Sequence, residues 1–250
     1  MSIIAFDLPE KSDLTIRNSL LAFLKRPRDY KNKYLQAHFK NAFDGYSYMG
    51  QKDSLNQYDT DLLHSFVLSE FHDTEDFPQE FQGFLTNEWP ELRAIVRAIE
   101  LRIINELDTP FKQLYEADKM GYMMSCNYYP KPKAGLSEGQ NNLRLSAHPD
   151  VSLLTTFPYG VSKGLSYFDD NKRFEVGEKK GPISFFGYFA NFFSNGAIEP
   201  LEHQVESPKD FDIERFSFAL FSIPKPDSTF TIGDREITGK DYYMQYLSLF

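Results

Sequence analysis

Leu143-Arg144-Leu145-Ser146-Ala147-His148-Pro149-Asp150 is the stretch on which the reading of this chain turns. In an extended strand, residues two apart point to the same side. His148 and Asp150 can therefore reach one point from one strand, provided Pro149 sits where no ladder donor is needed. Arg144 and Ser146 precede them at alternate positions, which allows them the same inner face. Far downstream stand His203 and then Arg215-Phe216-Ser217, with Arg215 and Ser217 again in step. Phe216, Phe218, Ala219, Leu220, Phe221 and Ile223 read as a buried strand. An arginine on the inner side of such a strand must meet an anion; on the outer side, with Glu214 next to it, it would be a surface ion pair.

Two imidazoles and one carboxylate, from His148, Asp150 and His203, form the donor set of the facial triad that holds non-haem iron(II) and leaves adjacent coordination positions open. A guanidinium fork at Arg215, with the Ser217 hydroxyl beside it, suits the carboxylate of a 2-oxo acid. Alone, a His-x-Asp pair is more often a coincidence of surface polar residues than a metal site. The four features together, in this order, predict bound Fe(II), 2-oxoglutarate as co-substrate, O2 as oxidant and ascorbate as a supporting reductant. No catalytic side chain beyond the metal ligands is expected.

The rest of the chain supplies a frame for that site. Ile3 to Leu8 reads as a short strand, and Asp13 as the cap of a helix carrying Leu14, Ile16, Leu20, Leu21 and Leu24. Tyr34 to Phe71 is mixed, with polar loops from Gly45 to Asp61. Pro90 opens the clearest helix, in which Leu92, Ile95, Val96, Ile99, Ile103 and Leu107 recur at helical spacing before Pro110. After residue 119, short apolar runs alternate with turn clusters: Gly121 to Tyr129, Leu143 to Ala147, Val151 to Phe157, Ile183 to Phe193 and Arg215 to Ile223. That texture is of an all-β jelly roll. Lys240 to Phe250 reads as a closing helix. The expected fold class is α+β with a mainly β core, a double-stranded β-helix. It forms one unit over 1–250, with a helical layer over 1–119, the jelly-roll core over 120–227 and a closing segment over 228–250.

Composition narrows the partners. The 250 residues carry a formal net charge of -9, which disfavours nucleic acid and anionic membranes. The 24 Phe and 15 Tyr point to an aromatic core with strand content. One cysteine, Cys126, rules out an internal disulfide and suits a reducing compartment. With no signal-like start and no long apolar run, the expectation is a cytoplasmic protein with a small-molecule substrate. Its oligomeric state is left open.

Over roughly Tyr122 to Pro224 the chain resembles the iron(II)/2-oxoglutarate-dependent oxygenase superfamily, in the family typified by the plant flavonoid dioxygenases and by isopenicillin N synthase, which keeps an Arg-x-Ser but uses no 2-oxo acid. The resemblance rests on Asn127-Tyr128-Tyr129-Pro130, on Ala147-His148-Pro149-Asp150 with Leu153-Leu154-Thr155, on Phe174-Glu175-Val176, and on Ser194-Asn195-Gly196 followed by His203-Gln204-Val205. It implies that His148, Asp150 and His203 ligate iron, and that Arg215 and Ser217 hold the distal carboxylate of 2-oxoglutarate. Asn127 and Tyr129 would add hydrogen bonds to the same co-substrate, and Tyr128 would face the other way. Tyr129 reads equally as a core aromatic. The chain departs from the pattern in a short N-terminal part, in Gln204 where an Arg is usual, and in a long gap from His203 to Arg215, where Ser207 to Asp212 read as an extended turn.

In general form the chain is similar to the compact bacterial members of that family that hydroxylate or halogenate free amino acids. Halogenases of this type carry Gly or Ala at the carboxylate position, so Asp150 favours hydroxylation. The expected reaction is hydroxylation of an unactivated C–H of a free amino acid or similarly small polar metabolite. Desaturation or oxidative ring closure in natural-product biosynthesis needs the same ligands, and a catalytically idle β-helix that binds a ligand is the reading from another class. Arg144 is the candidate clamp for a substrate carboxylate, or else a rim residue. Glu70, Asp73, Asp76 and Glu116 are the acidic residues considered for a substrate ammonium. His38, His64, His72 and Trp89 are read as structural.

Overall fold

The computed structural model describes residues 3–40, 43–49, 62–107, 110–131, 143–170, 172–206 and 214–249. The run at Ile3 yields a two-residue strand, β1 (Ile4–Ala5). Helix α1 (Leu14–Leu24) follows Asp13, whose carboxylate bonds Arg17 one turn on and makes no cap bond. Ile16, Leu20 and Phe23 face inward, while Leu14, expected on that stripe, is exposed. After the short α2 (Arg28–Asn32) come two strands that the sequence reading took for irregular chain, β2 (Gly45–Ser47) and β3 (His64–Ser69). β2 is too short to show alternation, and β3 is covered on both faces, so neither carries a period-two pattern. Most of the polar stretch up to Asp61, and the turn read at Ser207 to Asp212, lie outside the described residues.

Helices α3 (Gln79–Asn87), α4 (Trp89–Glu106) and α5 (Phe111–Glu116) follow. Pro90 sits in the first turn of α4, where its missing N–H costs nothing. The chain then runs through β4 (Met120–Tyr129), β5 (Leu143–His148), β6 (Leu154–Phe157), β7 (Leu165–Asp169), β8 (Lys172–Glu175) and β9 (Ile183–Phe186). The apolar run read from Ile183 to Phe193 divides at Gly187 into β9 and a helix, α6 (Tyr188–Phe193). β10 (His203–Glu206), β11 (Arg215–Pro224), the hairpin β12 (Thr229–Ile232) and β13 (Arg235–Thr238), and helix α7 (Gly239–Leu247) complete the order. Thr238 and Asp241 start α7 with a reciprocal capping box. No helix among the described residues is long and apolar enough to cross a membrane.

Seven strands form one sheet in the order β1-β9-β6-β11-β4-β3-β2, and four form a second, β5-β10-β7-β8. The axis of the large sheet is the antiparallel pairing of β11 with β4, which runs without a break from Arg215 opposite Tyr129 to Pro224 opposite Met120. On one face of that pair Tyr122, Met124, Cys126, Phe218 and Leu220 join Ile16, Leu20, Phe81, Phe84 and Leu92 in a core between sheet and helices. On the other, Met123, Tyr129, Ala219 and Phe221 join Leu165, Val205 and Phe185 in the core between the two sheets. The expected helical N-terminal layer is thus present, but the N-terminal part also contributes β1, β2 and β3 to the large sheet.

One carboxylate is locked into this frame. Glu100, on the inner stripe of α4, has no solvent exposure, and its Oε2 accepts the hydroxyls of Tyr115 (2.9 Å) and Tyr122 (2.8 Å). Burial pushes its pKa up to about 7, against the pull of those hydroxyls. A carboxyl whose native pKa lies above its ordinary value of 4.5 holds a proton more tightly folded than unfolded. Its share of stability is complete below 4.5 and is lost as pH rises through about 7. Urea titrations across that window are expected to show Glu100→Gln gaining on the parent with rising pH, by on the order of 3 kcal/mol at alkaline pH. A difference independent of pH would place the proton elsewhere.

Candidate metal centre

β5 ends at His148, so Pro149 follows the last ladder position and no sheet hydrogen bond is lost at it. His203 opens β10 directly opposite His148. The His148 Nε2 lies 3.5 Å from Asp150 Oδ1 and the His203 Nε2 lies 3.7 Å from the same oxygen. The two rings are 4.7 Å apart between centroids. One donor atom from each of the three residues falls within 4.8 Å of the others. Among the described residues this is the one cluster of three such side chains with that spacing.

The far side of each ligand is already committed. Nδ1 of His148 lies 2.7 Å from the Ser146 carbonyl, and Nδ1 of His203 lies 3.2 Å from the Leu201 carbonyl. A carbonyl can only accept, so each Nδ1 carries a proton and each Nε2 is left facing Asp150. Burial pushes the His203 imidazole down, with the Asp150 carboxylate opposing, and the ring is neutral. Burial alone would raise Asp150; His203, His148 and the Thr155 hydroxyl outweigh it and hold the carboxyl below its usual range. Asp150 Oδ2 accepts from Thr155 Oγ1 at 2.7 Å, and that hydroxyl is 2.7 Å from Ser152 Oγ. Oδ1 is thereby left toward the imidazoles. Two imidazole nitrogens and one carboxylate oxygen, each oriented from behind, fit a divalent ion of the first transition series.

The backbone that carries Asp150 is no longer strand, and its carbonyls need partners. Helix α7 supplies them: Tyr246 donates to the Pro149 carbonyl (2.9 Å) and Tyr242 to that of Val151 (2.5 Å). The Asp150 carbonyl accepts from the Tyr188 N–H at 2.6 Å, where the turn at Gly187 meets it. A Cβ at Gly187 would fall 2.5 Å from the Ser152 carbonyl and 2.8 Å from that of Asp150, so the approach requires glycine. Thr155 was read only as part of a motif, and Gly187, Tyr242 and Tyr246 were not singled out. Their signal is chemical, a hydroxyl or a missing Cβ facing a strand end, and it shows only once the partner is known.

The β4–β11 register brings the other predicted residues onto one face. Arg215 stands opposite Tyr129 and Ser217 opposite Asn127. Tyr129, Asn127 and Ser217 line a cavity of about 130 Å³ together with His148, Asp150 and His203. Tyr128 points the other way, as expected, and its hydroxyl bonds Glu214. The Arg215 guanidinium lies 5.0 Å from the centre of the Tyr129 ring. Its Nε and Nη1 are buried and have no acceptor among the described residues. Burial lowers its pKa, with Tyr129 opposing, yet an arginine keeps its charge. Ser125 adds a feature the sequence reading missed: its hydroxyl donates to Asn127 Oδ1 at 3.0 Å, which turns the Asn127 NH₂ group away from it.

Arg144 does not join them. The β5–β10 register shifts between His203 and Val205 and again before Glu206, so strict alternation fails. Leu145 lines the cavity with His148, whereas Ser146 and Arg144 do not. The Arg144 guanidinium donates to the Pro130 carbonyl at 3.2 Å. Glu70 pairs with Arg93, Asp76 lies near His72, and Glu116 pairs with Lys112, all away from the cavity. His64 stacks between Tyr46 and Tyr128, and Trp89 packs on Phe84, as structural residues would.

No family profile and no curated protein matches the chain. Solved structures do. A full-length Neurospora crassa protein, in complex with alpha-KG, is 19% identical over 99% of this chain and 85% of its own, with a TM-score of 0.72. JOX2, in complex with 2OG, Fe and JA, is 21% identical over 97% of this chain and 76% of its own, at 0.71. The rice dioxygenase for auxin oxidation is 17% identical over 97% and 83%, at 0.66. The shared feature is the fold: this chain has the mixed α and antiparallel β jelly roll of those oxygenases.

The Asp150–Thr155 bond gives a direct test of the centre. Thr155→Val keeps the shape and removes the donor to Oδ2. Anaerobic calorimetric titration with Fe(II) is expected to show affinity about ten- to a hundredfold weaker than in the parent, with an unchanged circular dichroism spectrum. Equal affinity would show that Thr155 has no hold on the ligand.

Proposed function

We propose that this protein is an iron(II)- and 2-oxoglutarate-dependent dioxygenase that hydroxylates an unactivated C–H bond of a small molecule. The observation that carries the reading is the pairing of two features in one interior. A cluster of two imidazoles and a carboxylate shares its cavity with Tyr129, and opposite Tyr129 in the sheet stands Arg215, whose buried Nε and Nη1 have no acceptor among the described residues. A buried guanidinium without an anion costs stability, and a site keeps such a group where a ligand completes it.

His148, Asp150 and His203 would hold the metal, and Arg215 with Ser217 would take the distal carboxylate of the 2-oxo acid. Asn127, its amide set by Ser125, and Tyr129 add donors on the same face. Iron(II) held by these three residues would supply the chemistry of dioxygen activation coupled to loss of carbon dioxide from the 2-oxo acid. The overall reaction balances as 2-oxoglutarate, O2 and R–H giving succinate, CO2 and R–OH. The protein's part is to fix the co-substrate by charge, keep water from the interior and hold the C–H in place. Asp150 stays ionised through His203, His148 and Thr155, and so keeps the third ligand position filled. That supports hydroxylation, since halogen transfer needs the position free. Arg144, whose guanidinium donates to the Pro130 carbonyl, has no part in this reading.

Succinate formation from 2-oxoglutarate with Fe(II), ascorbate and air tests the assignment. His148→Ala is expected to abolish turnover and iron binding while the fold is kept. Arg215→Leu is expected to raise the KM for 2-oxoglutarate by about a hundredfold, the loss of a charge-assisted bidentate contact, with iron affinity unchanged. Parent-like succinate formation by His148→Ala would end the reading.

A further inference from the structure

The wall of the cavity is uncharged apart from the metal cluster. On the β4–β11 side stand Tyr129, Asn127 and Ser217. Around Pro149, on the side of α7, the wall is Phe43, Leu63, Tyr246 and Leu247, with Gln36 as its polar member. Tyr246 is fixed there by its bond to the Pro149 carbonyl, and Phe43 by edge contact with Tyr243 at 5.1 Å. The Gln36 amide donates to the Phe43 carbonyl at 3.1 Å. Among the described residues no lysine, arginine, aspartate or glutamate other than Asp150 lines this space.

The charges proposed for the metal, its carboxylate ligand and the co-substrate also cancel. A dication and the Arg215 guanidinium balance the Asp150 carboxylate and a doubly ionised 2-oxo acid, so these groups together leave no net charge to pair with an ion. A free amino acid would bring an ammonium and a carboxylate into an apolar wall, each without a partner. A neutral, mainly apolar molecule would instead exchange water for Phe43, Leu63, Tyr246 and Leu247 at a gain.

Resting on the dioxygenase reading above, we infer that the substrate is an uncharged, mainly apolar small molecule whose reacting C–H is seated against Phe43, Leu63, Tyr246 and Leu247. The free amino acids suggested by the chain's general form lie outside this class.

The test compares each zwitterion with its uncharged isostere: phenylalanine with hydrocinnamamide, and leucine with isocaproamide. Two readouts are taken, succinate formation and the shift in melting temperature of the anaerobic protein loaded with Fe(II) and 2-oxoglutarate. The amides are expected to exceed the amino acids by about tenfold or more in stimulation, and alone to raise the melting temperature. Leu247→Arg, which sets a cation in the wall, is expected to raise the response to hydrocinnamate relative to hydrocinnamamide. Amino acids that equal or exceed their isosteres would overturn the substrate class and leave the dioxygenase intact. So would slow succinate formation that neither set stimulates, or an unchanged ratio in Leu247→Arg. Absence of both iron binding and 2-oxoglutarate turnover would remove the dioxygenase reading itself, and this inference with it.

Discussion

The unbroken antiparallel pairing of β4 with β11 is the constraint from which the rest of the molecule follows. Because side chains alternate, one register decides two surfaces at once. With Arg215 opposite Tyr129, the odd-numbered positions of both strands face the second sheet and the even-numbered ones face the helices. A slip of β11 by one residue would carry Arg215 and Ser217 into the helix-packed core and turn Phe218 and Leu220 into the cavity. The apolar packing of Phe218 and Leu220 with α1, α3 and α4 therefore holds the polar face of the site in place.

The ligand segment depends on a different device. Past His148 the chain leaves the sheet, and the carbonyls of Pro149, Asp150 and Val151 are satisfied by Tyr246, the Tyr188 N–H and Tyr242. Each of these groups reaches in from another element, and the Gly187 contact leaves no room for the segment to shift. The segment that carries Asp150 is thus fixed by packing remote from it in sequence, while each imidazole is held by a carbonyl two residues before it.

Much of this was legible beforehand, for reasons that differ by residue. His148, Asp150, His203, Arg215 and Ser217 combine side-chain chemistry with spacing, and both survive in a linear sequence. The helix at Pro90 announces itself through its start signal and apolar stripe. β2 and β3 did not, since burial on both faces erases alternation. Gly187 inside an apolar run hid the change from β9 to α6. Asp13 lies where a cap belongs but is drawn to Arg17 instead, a competition between two partners that the pattern alone does not weigh. Arg144 misled because the argument assumed regular alternation through β5.

That irregularity in β5 bears on how such a chain can vary. In a regular strand, one added residue reverses the facing of everything beyond it. Here the offset is already absorbed between Leu145 and His148, so the upstream half is read out of phase with the ligand. The register shifts again between Leu145 and Leu143, so the strand behaves as short tracts in series, joined by local dislocations. The tract ending in His148 is pinned by its chemistry. The stretch from Leu143 to Leu145 can exchange polar for apolar residues under its own pressures, so two homologues could align well at the histidine and disagree in parity a few residues earlier.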